Sequence, residues 1–161
     1  MDISSIIITA IFVAVCTIPF VLIGRKNKKK KKEKLQSLIN IANQQNATIS
    51  KSEVLSDYVI GMDEVKKQVF FFKKTKDSVI EDYINLADIK VTKVKNTGRA
   101  VAYNNSNQSI IEKLELVFIP LDKNRKEIAW EFYNSDDSSQ LSGELQSAEE
   151  WSNRINESLR N

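Results

Sequence analysis

Histidine is absent from this 161-residue chain, and its one cysteine, Cys16, sits inside an apolar run. The first absence removes Ser-His-Asp and Cys-His catalysis, histidine-ligated zinc and the usual general base of neutral pH. The second removes any intrachain disulfide. Glycine is scarce as well. There are four, with no GxGxxG and no GxxxxGK[ST], so the sequence contains no phosphate-cradling loop. Asp and Glu fall mostly where turns and solvated faces want them. Carboxylate-only catalysis stays formally open, but no catalytic, cofactor-binding or metal-binding residue can be named. No cofactor is expected, and the composition argues against an enzyme.

One stretch lacks charge altogether. Ile3 to Ile23 is 21 residues without a charged side chain, and the basic block Arg25-Lys26-Asn27-Lys28-Lys29-Lys30-Lys31-Lys32-Glu33-Lys34 follows at once. At 1.5 Å rise per residue, about 20 apolar residues cross a ~30 Å hydrocarbon layer, which predicts a transmembrane helix over residues 3–24. A cleaved signal peptide has basic residues before a shorter apolar core and small residues at its cleavage site. Here Asp2 is the only charge before the run, no A-x-A pattern ends it, and Val15 stands where a lipoprotein signal needs a small residue. The one-sided basic block keeps the following domain in the cytoplasm. The expectation is an uncleaved single-pass anchor in the inner (plasma) membrane, N-terminus outside. Pro19 kinks the span. Ala10 and Ala14, at small-xxx-small spacing, allow weak homo-association through the membrane helix.

The charge is unevenly distributed. The tract at 25–34 carries eight positive charges and one negative, and Asp2 another negative, so the chain's net +3 leaves −3 over residues 35–161. Arg25, Lys26, Lys28, Lys29, Lys30, Lys31, Lys32 and Lys34 are the predicted contacts with the bilayer surface, each contributing about 1 kcal/mol beside anionic head groups. A nucleic-acid-binding domain shows the opposite distribution, and no aromatic residue interleaves these lysines. The partners expected are therefore the lipid bilayer and an unknown protein, with no nucleic acid.

Beyond the polybasic juxtamembrane tract, Leu35, Leu38, Ile39 and Ala42 recur at helical spacing, so 35–56 reads as a short amphipathic helix and a polar linker. The period then shortens. Tyr58 to Met62 and Gln68 to Lys73 read as a hairpin turning at Asp63–Lys67. Phe70, Phe71 and Phe72 in a row mean that both faces of the second strand are covered. Asp82–Leu86 and Ile89–Val94 read as short strands, Asn96–Ser109 as a polar loop or a long hairpin tip, and Ile110–Ile119 as the strongest strand. Glu127–Tyr133 returns with Ile128, Trp130 and Phe132 inward and Glu127 and Glu131 outward. Leu141, Leu145, Ala148, Trp151, Ile155 and Leu159 share one side of a closing helix.

Six or seven short antiparallel strands closed by an amphipathic helix resemble the element order of a pleckstrin-homology-like domain. The stretches Ile60-Gly61-Met62-Asp63, Phe71-Phe72-Lys73-Lys74, Ile111-Glu112-Lys113-Leu114-Glu115-Leu116 and Glu131-Phe132-Tyr133-Asn134 sharpen the likeness. With Leu141-Ser142-Gly143-Glu144-Leu145-Gln146, Ala148-Glu149 and Trp151, they resemble a small family met chiefly in Bacteroidota. Its members are single-pass membrane proteins of unknown function with a cytoplasmic domain. The resemblance implies an α+β, mainly β fold: an N-terminal transmembrane helix, then at 57–161 an antiparallel, partly open barrel with a C-terminal capping helix. Lipid-binding pleckstrin-homology domains have a basic hairpin after the first strand. Here Lys66, Lys67, Lys73 and Lys74 form a possible lipid rim, diluted by Asp63 and Glu64. The reading is a membrane-anchored, cytoplasm-facing, non-catalytic interaction or scaffold module. An anionic-lipid sensor and, further off, a carboxylate-only enzyme are the alternatives.

Overall fold

Strand periodicity governs the chain from residue 51 onward, and helical periodicity brackets it. The computed structural model describes residues 28–160 apart from 56, 76, 104–105 and 138–139. The predicted span at 3–24 lies outside the described residues. A helix, α1, covers 28–44. Seven strands follow among the described residues: β1 (Lys51–Val54), β2 (Tyr58–Asp63), β3 (Gln68–Lys74), β4 (Val79–Asn85), β5 (Ile89–Tyr103), β6 (Ser106–Pro120) and β7 (Ile128–Asn134). A 3-10 turn at Leu86–Asp88 separates β4 from β5, and α2 (Glu144–Arg160) closes the chain. The fold is α+β and mainly β: β1 to β4 form one antiparallel meander, and β5 to β7 a second.

The two sheets and α2 enclose the main core. From β2 and β3 come Tyr58, Ile60, Met62, Val69 and Phe71, from β6 Leu114, Leu116 and Phe118, and from α2 Ala148, Trp151 and Ile155. Phe71 is the hub, stacked at 5.0 Å on Trp130 and at 5.8 Å on Phe132. At typical values, each buried phenylalanine stabilises the fold by about 1.5–3 kcal/mol. The alternate positions of the same strands, Val59, Phe70 and Phe72, form a second core with Leu38, Ile41 and Ala42 of α1. The triple phenylalanine run is thus covered on both faces, as its composition requires, and α1 is the cover on one side.

Several elements differ from the sequence reading for identifiable reasons. Lys51–Val54, within the stretch read as linker, is a strand, because β1 is a polar edge that pairs only with β2. Of the two readings of Asn96–Ser109, the polar loop gives way to the long hairpin tip, in which β5 and β6 pair as far as Tyr103 with Ser106. A register shift at Thr97/Gly98 accommodates them, and a Cβ on Gly98 would lie 2.3 Å from the Ile110 carbonyl oxygen. Ile128 opens β7 partly exposed rather than inward. In β7 the register passes from Leu114–Tyr133 to Glu115–Glu131, so Phe132 is an extra residue and both it and Tyr133 are buried. Leu141 precedes α2 and is exposed, while Ala148, Trp151 and Ile155 carry its buried stripe.

Side-chain hydrogen bonds hold α2 in its seat. Asn156 pairs with β5 as a neighbouring strand would: its Oδ1 accepts from the Thr92 N–H at 2.8 Å and its Nδ2 donates to the Thr92 carbonyl at 3.0 Å. At the β1 side, Trp151 Nε1 and Ser147 Oγ both donate to Glu53 Oε2 at 2.7 Å, and Tyr58 OH donates to Ser147 at 3.0 Å. Burial, aided by Glu53 and Glu144, raises the Tyr58 phenol far above its ordinary range, against the pull of Ser147, so it acts as a fixed donor.

Candidate membrane-surface site

The described lysines of the tract, from Lys28 onward, are part of a helix that packs on the domain. Lys28 to Lys32 and Lys34 occupy the first turns of α1, and the same helix then docks through Leu38, Ile41 and Ala42 onto the outer face of β2 and β3. Close approach depends on Gly61. A Cβ there would lie 2.7 Å from Leu38 Cδ2 and 3.1 Å from both Ile49 Cγ2 and the Lys51 carbonyl oxygen. The direction of the helix that carries Lys28 to Lys34 is therefore set by packing. Arg25 and Lys26 lie outside the described residues.

The docked helix sorts its lysines. Lys30 and Lys34, one turn apart, line a cleft of about 660 Å³ together with Glu33 and Ser37. The rest of the cleft comes from Phe72 and Lys74 of β3 and from three connections: Asp57 between β1 and β2, Thr75 and Asp77 between β3 and β4, and Asp136 and Asp137 after β7. Lys34 is partly buried there. Burial, with the like charges of Lys30 and Lys31, pulls its ammonium below the ordinary value, and the opposite charge of Asp57 resists. Lys28, Lys29, Lys31 and Lys32 are exposed and outside that cleft. Lys29 lies 4.0 Å from Glu33 with both side chains largely solvated, a pairing that contributes little.

The four lysines read as a lipid rim do not converge. Lys66 is exposed at the β2–β3 turn and donates to the Asn46 carbonyl. Lys67, at φ 52°, lines a different cleft of about 570 Å³ shared with Lys51, Glu64 and Arg154. Lys73 is no surface cation: its side chain is 3% exposed and its ammonium sits 2.8 Å from Glu131 Oε1. The alternation of β3 turns Lys73 inward beside Phe71 and Lys74 outward beside Phe72. Only Lys74 joins the lysines of α1.

The β2–β3 turn owes its shape to Asp63. Its Oδ1 accepts from the N–H groups of Val65 and Lys66 at 2.9 Å, and its Oδ2 from that of Thr48 at 2.7 Å. Burial alone would raise this carboxyl, but the three backbone donors and the Lys66 charge outweigh it and hold it below its ordinary value. The acids diluting the supposed rim are thus structural in one case (Asp63), while the other, Glu64, is paired with Lys51 at 2.8 Å.

The sequence reading missed the aspartates that face α1. They come from turns far apart in the chain, and each is an ordinary turn residue taken alone. Among the described residues no group of three His, Cys, Asp or Glu is arranged to hold a metal ion. Among them also, no helix is long and apolar enough to cross a membrane. No protein-family model, curated protein or solved structure matches this chain.

Proposed function

We propose that this protein is a membrane-anchored, cytoplasm-facing interaction or scaffold module without catalytic activity. On this reading residues 3–24 span the inner membrane and the lysines of 25–34 lie against its inner surface. A pleckstrin-homology-like domain then stands close beneath. The two meanders, the C-terminal helix seated against both sheets and the order of elements support that architecture. The observation that carries the proposal is the continuity of α1. One helix bears the lysines at its start and is packed into the domain core at its end, so an anchor before it orients the whole domain.

The lipid-sensor alternative draws less support. Its candidate lysines are scattered, one of them is buried in an ion pair, and the connections beside the start of α1 present aspartates that an anionic surface repels. A chain beginning at Leu35 carries −3, and exposed charges are screened beyond about 8 Å at physiological salt. It should stay in the supernatant when spun with anionic vesicles. A chain beginning at Arg25 should sediment and be released by high salt. Strong sedimentation of the shorter chain, abolished by changing Lys66, Lys67 and Lys74 to Glu, would establish the lipid sensor instead.

A further inference from the structure

The strands that end beside the lysines of α1 begin, or turn back, at a second cleft. β3 runs from Gln68 to Lys74, a length of about 20 Å at ~3.3 Å per residue, and β4 pairs along it in the reverse direction. At the end remote from Lys74, an opening of about 430 Å³ lies where β4, the start of β5 and the β6–β7 turn meet. Its size falls within the range of ligand sites. Tyr83 and Ile128 border it with 41% and 39% of their surface exposed, so each offers apolar surface to the opening. Arg125 and Lys126 stand at its mouth. The nearest acid to Arg125 is Asp88 at 3.9 Å, and both side chains are more than half exposed, so that pair holds the guanidinium weakly.

Gln68 completes the wall. Its Oε1 is buried and is the only buried side-chain nitrogen or oxygen among the described residues without a hydrogen-bond partner. Leaving such an acceptor unmatched is unfavourable, and a rotation of the Gln68 side chain toward the cleft would let a ligand's donor relieve it. A lining half apolar and half polar, an unmatched carbonyl acceptor, and two cations against the single carboxylate of Asp88 together suit an extended peptide. Its backbone N–H meets Gln68, an apolar side chain lies between Tyr83 and Ile128, and acidic side chains meet Arg125 and Lys126. A lipid head group fits poorly, since the cleft is at the opposite end of the strands from the lysine tract.

We propose that this distal cleft is a docking site for an extended, acidic and apolar peptide segment of a partner protein. The proposal rests on the interaction-module reading and gives it a surface. The test uses the full chain in phosphatidylcholine nanodiscs and fluorescence anisotropy of two labelled peptides, one alternating Leu with Glu and one alternating Leu with Lys. The acidic peptide should bind saturably and at least tenfold more tightly than the basic one. Arg125→Glu with Lys126→Glu should weaken it tenfold or more, and Gln68→Met several-fold. Lys90→Glu with Lys93→Glu, the same charge change at exposed positions of β5, should leave it unchanged. Equal binding of the two peptides, no binding, or equal loss in both charge-reversed variants would overturn the proposal.

A photo-crosslinking residue placed in native membranes at Ile128, at Lys93 and at Glu149 separates the two levels. Adducts at Lys93 or Glu149 but not at Ile128 would overturn the cleft and leave the module standing. Adducts at none of the three would overturn both. An Ile128 adduct of twice the chain mass would show a second copy in the cleft and overturn the peptide proposal.

Discussion

Lys73 on β3 and Glu131 on β7 meet at 2.8 Å and join the two sheets through an ion pair whose ammonium is almost fully enclosed. Lys113 approaches the other oxygen of Glu131 at 3.4 Å and bonds Glu115 at 2.7 Å. Burial would raise the Glu131 carboxyl, but Lys73 and Lys113 outweigh it and hold it below the ordinary value. Removing one partner of such a pair leaves a buried charge without compensation, whereas replacing both with apolar groups is far less costly. Glu131→Gln should therefore cost about 3 kcal/mol in urea unfolding. Lys73→Met combined with Glu131→Leu should restore most of that loss. A neutral Glu131→Gln would show that Lys73 reaches solvent.

Trp151 projects from α2 into the core between the two sheets and is almost fully buried. Replacing it with Ala removes the ring and should destabilise the domain by about 3–5 kcal/mol, a large part of the 5–15 kcal/mol usual for a domain. Trp151→Phe keeps most of the packing and loses the N–H bond to Glu53, and should cost about 1–2 kcal/mol. Thermal melts followed by the fluorescence of Trp130 distinguish the two. Equal, small shifts for both would mean that neither the ring nor its hydrogen bond holds α2.

Asp63 makes stability depend on acid. Its carboxyl is lower in the native state than the 3.8 of the unfolded chain. Linkage then fixes the sign: the stabilisation is present in full above the unfolded value and is lost as pH falls through the native one. Asp63→Asn should lower stability at neutral pH and flatten the acid limb of the stability–pH curve. The measurement is a series of urea midpoints from pH 7 down to pH 2. An acid limb unchanged by the substitution would exclude Asp63 as a source of the dependence.

Much of the fold was legible because burial writes a period into the sequence. Tyr58, Ile60 and Met62 alternate, β6 is apolar from Leu116 to Pro120, and Ala148, Trp151 and Ile155 repeat at helical spacing. Phe70 to Phe72 announced two covered faces, though not that α1 covers one of them. β1 was not legible, because an edge strand of Lys, Ser and Glu has no apolar alternation to show. Lys73 and Lys74 were read together as surface cations, yet the period of two already places neighbouring residues on opposite faces, and one of those faces belongs to the core. Asp57, Asp77, Asp136 and Asp137 share a cleft only through the packing of three separate connections against α1, and nothing local in the chain marks them. The distal cleft is likewise assembled from β3, β4 and the β6–β7 turn, and Gln68 looks like any solvated strand residue until its partners are counted.

The central claim is that the domain stands on the cytoplasmic side of a membrane anchor, oriented by the basic helix that enters its core. Fusing to Asn161 one reporter that works only in the cytoplasm and, separately, one that works only outside the inner membrane tests it most directly. The account predicts activity from the cytoplasmic reporter, with the fusion protein resisting extraction from membranes by high salt. Activity from the outer reporter would contradict the orientation, and complete release by salt would contradict the anchor.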